Sequence, residues 1–225
     1  MAGAAIMAYA FFVSERGIIQ LHVRNLAPDF SVIRRIAGIG LYSSGRVLSR
    51  NISMLLIMRL TATFGTAALA AFGLCLRLQM LLFGPTMGFS TAAATVVGQN
   101  LGAKKPHRAT LGGWLAAVLA MGVAALIGLA YWGGAGVVIP LFNDDPRVVA
   151  LGVPFLRWFA ASFPFIALGM VLCFAMNGAG DTLRPMLITA AALLGFGVPL
   201  AYLLAHLWGR VGGIWLAIFC SNVAT

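Results

Sequence analysis

Carboxylates are the rarest functional group in this sequence: Glu15, Asp29, Asp144, Asp145 and Asp181 are the five acids among 225 residues. Charged residues of both signs make up only 9%. A soluble domain uses about 25% to cover its core, so this chain cannot build an ordinary solvated surface. Cysteine is scarce too. Cys75, Cys173 and Cys220 sit inside apolar runs without CxxC spacing or nearby histidines, which leaves no disulfide framework and no metal site to propose. His22 and His107 fall in predicted loops and His206 near an interface, so no proton relay is visible. A membrane-embedded enzyme would need clustered Asp, Glu, His or a metal site, and Asp181 alone in a glycine turn does not provide one. The sequence predicts neither an enzyme nor a cofactor.

What the chain does have is apolar length: 61% of residues are hydrophobic, with mean hydropathy +0.98. A helix needs about 20 residues to cross a hydrocarbon core of about 30 Å. Five stretches qualify, at Val32–Leu60, Ala67–Val97, Leu111–Ile139, Val148–Met176 and Met186–Leu207. Pro85, Pro154, Pro164 and Pro199 fall within them, and each removes a backbone donor and can kink a helix. Ala2–Val13 is too short to span, with no basic residue before it as a signal peptide would have, and Ile214–Cys220 opens a further span close to Thr225. Both ends read as cut spans, which predicts a fragment of a longer membrane protein. Gly102 suits a helix C-cap, while Asn143-Asp144-Asp145-Pro146 and Gly178-Ala179-Gly180-Asp181-Thr182 place capping residues ahead of the next helix. Gly84, Gly88, Gly98 and Gly102 stand four apart and read as packing positions.

The net charge of +10 would suggest nucleic acid in a soluble protein. In a membrane protein it sets orientation instead. Arg16, Arg24, Arg34, Arg35, Lys104, Lys105, Arg108 and Arg184 share one side, against Arg147 and Arg210 on the other, which places the first side in the cytoplasm and predicts no nucleic-acid partner.

Ionisable groups at membrane depth are expensive and mark candidate sites. Arg46 and Arg50, four apart, share a helical face with Tyr42 and Ser53. Arg77 and Gln79 lie deep in the second span, whereas Arg59 is interfacial and Arg157 falls in the fourth. Arg46, Arg50, Arg77 and Gln79 are therefore the candidates for lining a substrate cavity, with snorkelling to an interface as the alternative for the arginine pair. All five acids fall in loops, so the chain offers no carboxylate to bind a coupling cation within the membrane.

The run Gly65-Thr66-Ala67-Ala68-Leu69-Ala70-Ala71-Phe72-Gly73, followed by Pro85-Thr86-Met87-Gly88-Phe89-Ser90 and Val97-Gly98-Gln99-Asn100-Leu101-Gly102-Ala103, resembles the multidrug and toxic compound extrusion family. Leu141-Phe142-Asn143-Asp144-Asp145-Pro146 is similar to that family's external loop, and Asn177–Thr182 with Pro185 to its later cytoplasmic turn. The resemblance covers essentially the whole chain. It implies an all-α polytopic membrane fold in which twelve helices form two lobes of six, with this chain as the C-terminal lobe. Residues 1–30 would then be the end of a truncated helix plus a cytoplasmic loop, and 31–225 the lobe itself with five full helices and the start of a sixth.

The same resemblance implies a cation-coupled antiporter that exports drugs or cationic and amphipathic metabolites across a bacterial inner membrane by alternating access. Its partners would be the lipid bilayer, small-molecule substrates and the missing N-terminal lobe. Coupling would use a proton or sodium gradient. Helices seven and ten, where the sodium-coupled branch carries acids, correspond here to Val32–Leu60 and Val148–Met176 and contain none, so the coupling carboxylate is expected in the absent half. The alternatives are a flippase for lipid-linked sugars of the same superfamily and a non-functional gene fragment.

Overall fold

The computed structural model of the chain describes residues 29–225, and backbone contacts divide the chain after Gly40. The short run Ala2–Val13 and the loop residues Arg16, His22 and Arg24 lie outside the described residues. Among the described residues every regular element is a helix. In chain order these are α1 (Phe30–Ala62), α2 (Thr66–Gly102), α3 (Pro106–Phe142), α4 (Pro146–Ala161), α5 (Phe163–Gly178), α6 (Leu183–Ala190), a π-helical stretch (Ala191–Gly197), α7 (Val198–Trp208) and α8 (Gly212–Ala224).

The punctuation between helices follows local chemistry. Asp29 opens α1, its side chain accepting from the Ser31 backbone N–H at 2.8 Å, and hydrogen bonding from the Ser31 side chain, then from the Ser31 and Val32 backbone, holds its carboxyl below the ordinary range. Asp145 caps α4 by accepting from the Arg147 N–H at 2.9 Å, with Pro146 in the first turn. Gly65 and Gly180 supply the positive φ of two turns, at 102° and 84°. Gly102 is not the cap that the sequence suggests. It is the last residue of α2, Ala103 caps the helix, and Lys104 takes the left-handed conformation at φ 57°. The N–H groups of Ala103, Lys104 and Lys105 all turn back onto α2 carbonyls, which carries the tight position two residues beyond the glycine.

Two helices, α2 and α3, are long and apolar enough to cross a membrane, as is the run Leu183–Trp208 through α6, the π stretch and α7. The predicted span Val148–Met176 is instead a bent pair: α4 and α5 meet at 46° around Ser162, two residues before Pro164, and count as one span together. Proline cannot donate back into the preceding turn, and it disfavours helical geometry in the residue before it. The predicted first span, Val32–Leu60, does form one helix of 33 residues, α1, but Arg46, Arg50 and Arg59 keep it out of the apolar set.

Packing is inverted relative to a soluble bundle. On α3 the buried positions are Ala109, Gly113, Ala117, Ala120, Ala124, Gly128, Ala135 and, near its end, Ile139, whereas Leu115, Leu126, Leu129 and Val137 are exposed. Large apolar side chains outside and small ones inside identify lipid as the solvent, since hydrocarbon gives leucine no reason to turn inward. Small residues let backbones approach. A Cβ on Gly128 would come within 2.6 Å of the Ala160 carbonyl oxygen, and one on Gly178 would meet the Ala94 carbonyl and lie 2.7 Å from its Cα. Of the four glycines that the spacing selects on α2, only Gly98 has such a contact, 3.2 Å from the Gly178 oxygen; Gly84, Gly88 and Gly102 face open space.

That contrast is testable. Gly128→Ala should lower thermal stability in detergent by about 1–3 kcal/mol through overpacking against α4. Gly84→Ala should leave it unchanged or slightly raise it, because alanine restricts the unfolded chain without meeting a neighbour.

Candidate functional site

One face of α1 carries Arg46, Arg50, Ser53 and Ile57, the i, i+4, i+7, i+11 positions of a single stripe. From Leu41 to Ala62 this helix makes few close backbone approaches to the others. Toward its start Arg46 lays its guanidinium 5.5 Å from the Phe174 ring centroid on α5 and Gly45 lies against the Met186 side chain of α6, and toward its end Ile57, Leu60 and Thr61 are buried. A cation over an aromatic face is worth about 0.5–1 kcal/mol at an exposed site and more when dry.

The gap left by this stand-off is a cavity of about 150 Å³. Phe72, Leu76 and Gln79 line it from α2, Phe155 and Phe159 from α4, and Ile166, Met170 and Cys173 from α5. Thr189 and Leu193 complete it at the junction of α6 with the π stretch, and Ile218 and Asn222 from α8. One wall is an aromatic stack. Phe155 lies 3.9 Å from Trp215, 5.3 Å from Phe159 and 5.8 Å from Phe72 between ring centroids, and it is fully buried. Tyr131 meets Phe163 edge-on behind this wall and donates its hydroxyl to the Leu78 carbonyl at 3.3 Å.

Arg46, Arg50 and Gln79 thus share one cavity. Arg77 does not line it. Two residues along a helix turn a side chain by about 200°, so Arg77 and Gln79 of α2 cannot address the same space. Arg77 lines a separate recess with Phe142 and Asn143 near the end of α3. Arg157 packs elsewhere, 5.6 Å over the Trp132 ring. Asn222 went unselected in the sequence although an amide inside an apolar run is itself a signal. Its Nδ2 donates to the Ser162 hydroxyl at 3.1 Å, which ties α8 to the α4–α5 break.

The charged side chains of the cavity have one sign. Its charged lining residues are Arg46 and Arg50. Among the described residues the ion pairs are Arg147 with Asp145 and Arg184 with Asp181, both in loops. No group of three or more His, Cys, Asp or Glu gathers among them to hold a metal.

The MatE family model matches residues 43–203, which takes in α1 from Ser43 through most of α7. The chain belongs to the MatE family. Its relatives include a probable multidrug resistance protein NorM of Aromatoleum aromaticum, 34% identical over 77% of this chain and 38% of that protein. Another is the probable multidrug resistance protein YpnP of Bacillus subtilis, 24% identical over 99% of this chain and 50% of that one. A crystal structure of MATE in the straight conformation superposes with a TM-score of 0.90 at 22% identity, covering 99% of this chain and 50% of that structure. The MatE chain described here therefore spans about half the length, or less, of the relatives it matches, and its fold is one lobe of that architecture. MatE proteins are transporters rather than enzymes.

The wall and the cavity mouth should respond differently to truncation. Phe155→Ala should cost about 3–5 kcal/mol in thermal unfolding and shift Trp215 emission, because a buried ring is lost from a stack. Phe165→Ala, at a 39% exposed lining position, should leave stability within about 1 kcal/mol of the parent.

Proposed function

We propose that this chain is the C-terminal lobe of a cation-coupled antiporter that exports amphipathic drugs or metabolites from a bacterial cell by alternating access. The observation that carries this reading is the cavity between α1 and the α2–α4–α5–α8 group, mostly apolar and aromatic, with a few polar groups from α1, α2, α6 and α8. Such a lining binds by shape and dispersion and tolerates many apolar bodies, as multidrug recognition requires. The relatives' names and the half-length match support the same assignment.

In this reading the basic loops Lys104–Arg108 and Arg184 lie in the cytoplasm of an inner membrane, and the Asn143–Arg147 loop lies outside. The coupling carboxylate belongs to the N-terminal lobe, because the acids of the described residues lie in loops. Asp181 fits the loop role: it accepts from the Arg184 N–H at 3.2 Å and pairs with that side chain at 3.3 Å.

Alternating access needs a second lobe against which this one can rock. Expressed alone in a drug-sensitive strain, the chain should give no gradient-driven efflux of ethidium or of an amphipathic anion. Fused behind the N-terminal half of a relative such as YpnP, it should restore efflux that an uncoupler or sodium removal abolishes. Efflux by the chain alone would overturn the proposal.

A further inference from the structure

Within the transport reading, on which this inference rests, we infer that the cavity selects an amphipath with an anionic head rather than a cation. Three observations converge. The ionic residues lining the cavity are Arg46 and Arg50, and both are cationic. They stand four apart on one face of α1, so two guanidinium forks point into the same space with like-charge repulsion between them. Among the described residues neither has a carboxylate within salt-bridge distance, and Arg46 rests on Phe174 instead of an acid.

A guanidinium pair at membrane depth is costly without a counter-charge, and a bound anion relieves both the desolvation and the mutual repulsion. Arginine matches the planar, multi-oxygen geometry of a carboxylate, sulfonate or phosphate with paired hydrogen bonds. The rest of the lining gives the body of the ligand its place: beyond the arginines the space is walled by Phe72, Phe155, Phe159 and Ile218. Gln79 and Asn222 add neutral donors that suit an anion's remaining oxygens. A cation of the same body would meet two positive charges in a low-dielectric pocket that, among the described residues, has no acidic side chain in its lining to offset them.

The test uses the chain joined to its second lobe, purified and reconstituted in liposomes, with a matched pair of probes. Pyrenesulfonate and pyrenyltrimethylammonium share one flat aromatic body and differ in the sign of the head. Counterflow measures exchange of probe without assuming the coupling ion. Pyrenesulfonate should exchange, and Arg46→Gln or Arg50→Gln should slow it about tenfold, while Arg210→Gln, in the α7–α8 loop, should not. Arg46→Lys should recover part of the rate, since charge remains and the fork is lost.

Exchange of the cation alone, or equal loss of both probes in the arginine variants, would overturn anion selection while leaving transport intact. Exchange of neither probe overturns anion selection, and transport falls with it when ethidium efflux from cells is also absent. Dithionite quenching of an NBD-labelled prenyl pyrophosphate in the same liposomes separates the two sources of such a head. Arg46- and Arg50-dependent flipping of that lipid assigns the anion to a lipid-linked cargo, and pyrenesulfonate exchange without flipping assigns it to a free amphipath.

Discussion

Lipid removes the force that sorts large apolar side chains inward, and the rest of this structure follows from that removal. In water, Leu126 and Leu129 would drive the burial of α3; here they face outward and the helix is held by its opposite face of alanines and glycines. Attachment then depends on backbone proximity and on contact area, which is why Gly128 fits against the Ala160 carbonyl and Gly178 against Ala94. Where helices cannot approach so closely, aromatic rings fill the distance. The stack of Phe72, Phe155, Phe159 and Trp215 joins α2, α4 and α8 across a gap too wide for alanine.

The same solvent forbids loose backbone polar groups, and each break in a helix shows its compensation. At the α4–α5 bend, Ser162 donates its hydroxyl to the Phe159 carbonyl at 2.7 Å and accepts from Asn222. Around Pro85 helix α2 stays unbroken, and the Thr86 and Ser90 hydroxyls satisfy themselves on the Leu82 and Thr86 carbonyls at 2.8 and 2.7 Å. The π-helical stretch ahead of Pro199 widens the turn, and the Ala192 carbonyl accepts from Ser221 of α8 at 3.2 Å. Gly197 leaves the room for that contact, since a Cβ there would collide with the Ser221 hydroxyl. The α4–α5 bend borders the cavity through Phe159 and Ile166, and the π stretch through Thr189 and Leu193. A polar side chain of α8, Asn222 at the bend and Ser221 at the π stretch, meets each of these two irregularities beside the cavity.

Helix positions and turn chemistry were legible because they are local: the apolar runs, Asn143–Pro146 and Gly178–Thr182 mark the observed boundaries to within a few residues. The stripe of Arg46, Arg50 and Ser53 was legible from periodicity alone. The π stretch was not, because its cause is split between Pro199 and a serine on another helix. Arg77 and Gln79 looked alike by depth, and only the angle between them separates their surroundings. The packing stripe was misread for a similar reason: glycine spacing on α2 is conspicuous, but what decides a close contact is which face meets a neighbour. The alanines of α3 carry that face. The role of Asn222 was not legible because its partner, Ser162, is brought to it only by the fold.

The cavity itself is a consequence of α1. Its arginines cannot be set against lipid or pressed into the small-residue packing that joins α2, α3, α4 and α5, because a guanidinium needs width and a polar partner. Around Arg46 and Arg50 the helix therefore stands off, touching through Arg46 on Phe174 and Gly45 near Met186, and it closes further along, where Ile57, Leu60 and Thr61 are buried. The space it leaves is lined by both the arginines and rings of the aromatic stack. Charge and cavity are one feature: shortening these side chains to close the gap would remove the only cationic groups in its lining, and keeping them leaves two positive charges that a bound molecule, or a neighbouring lobe, must answer.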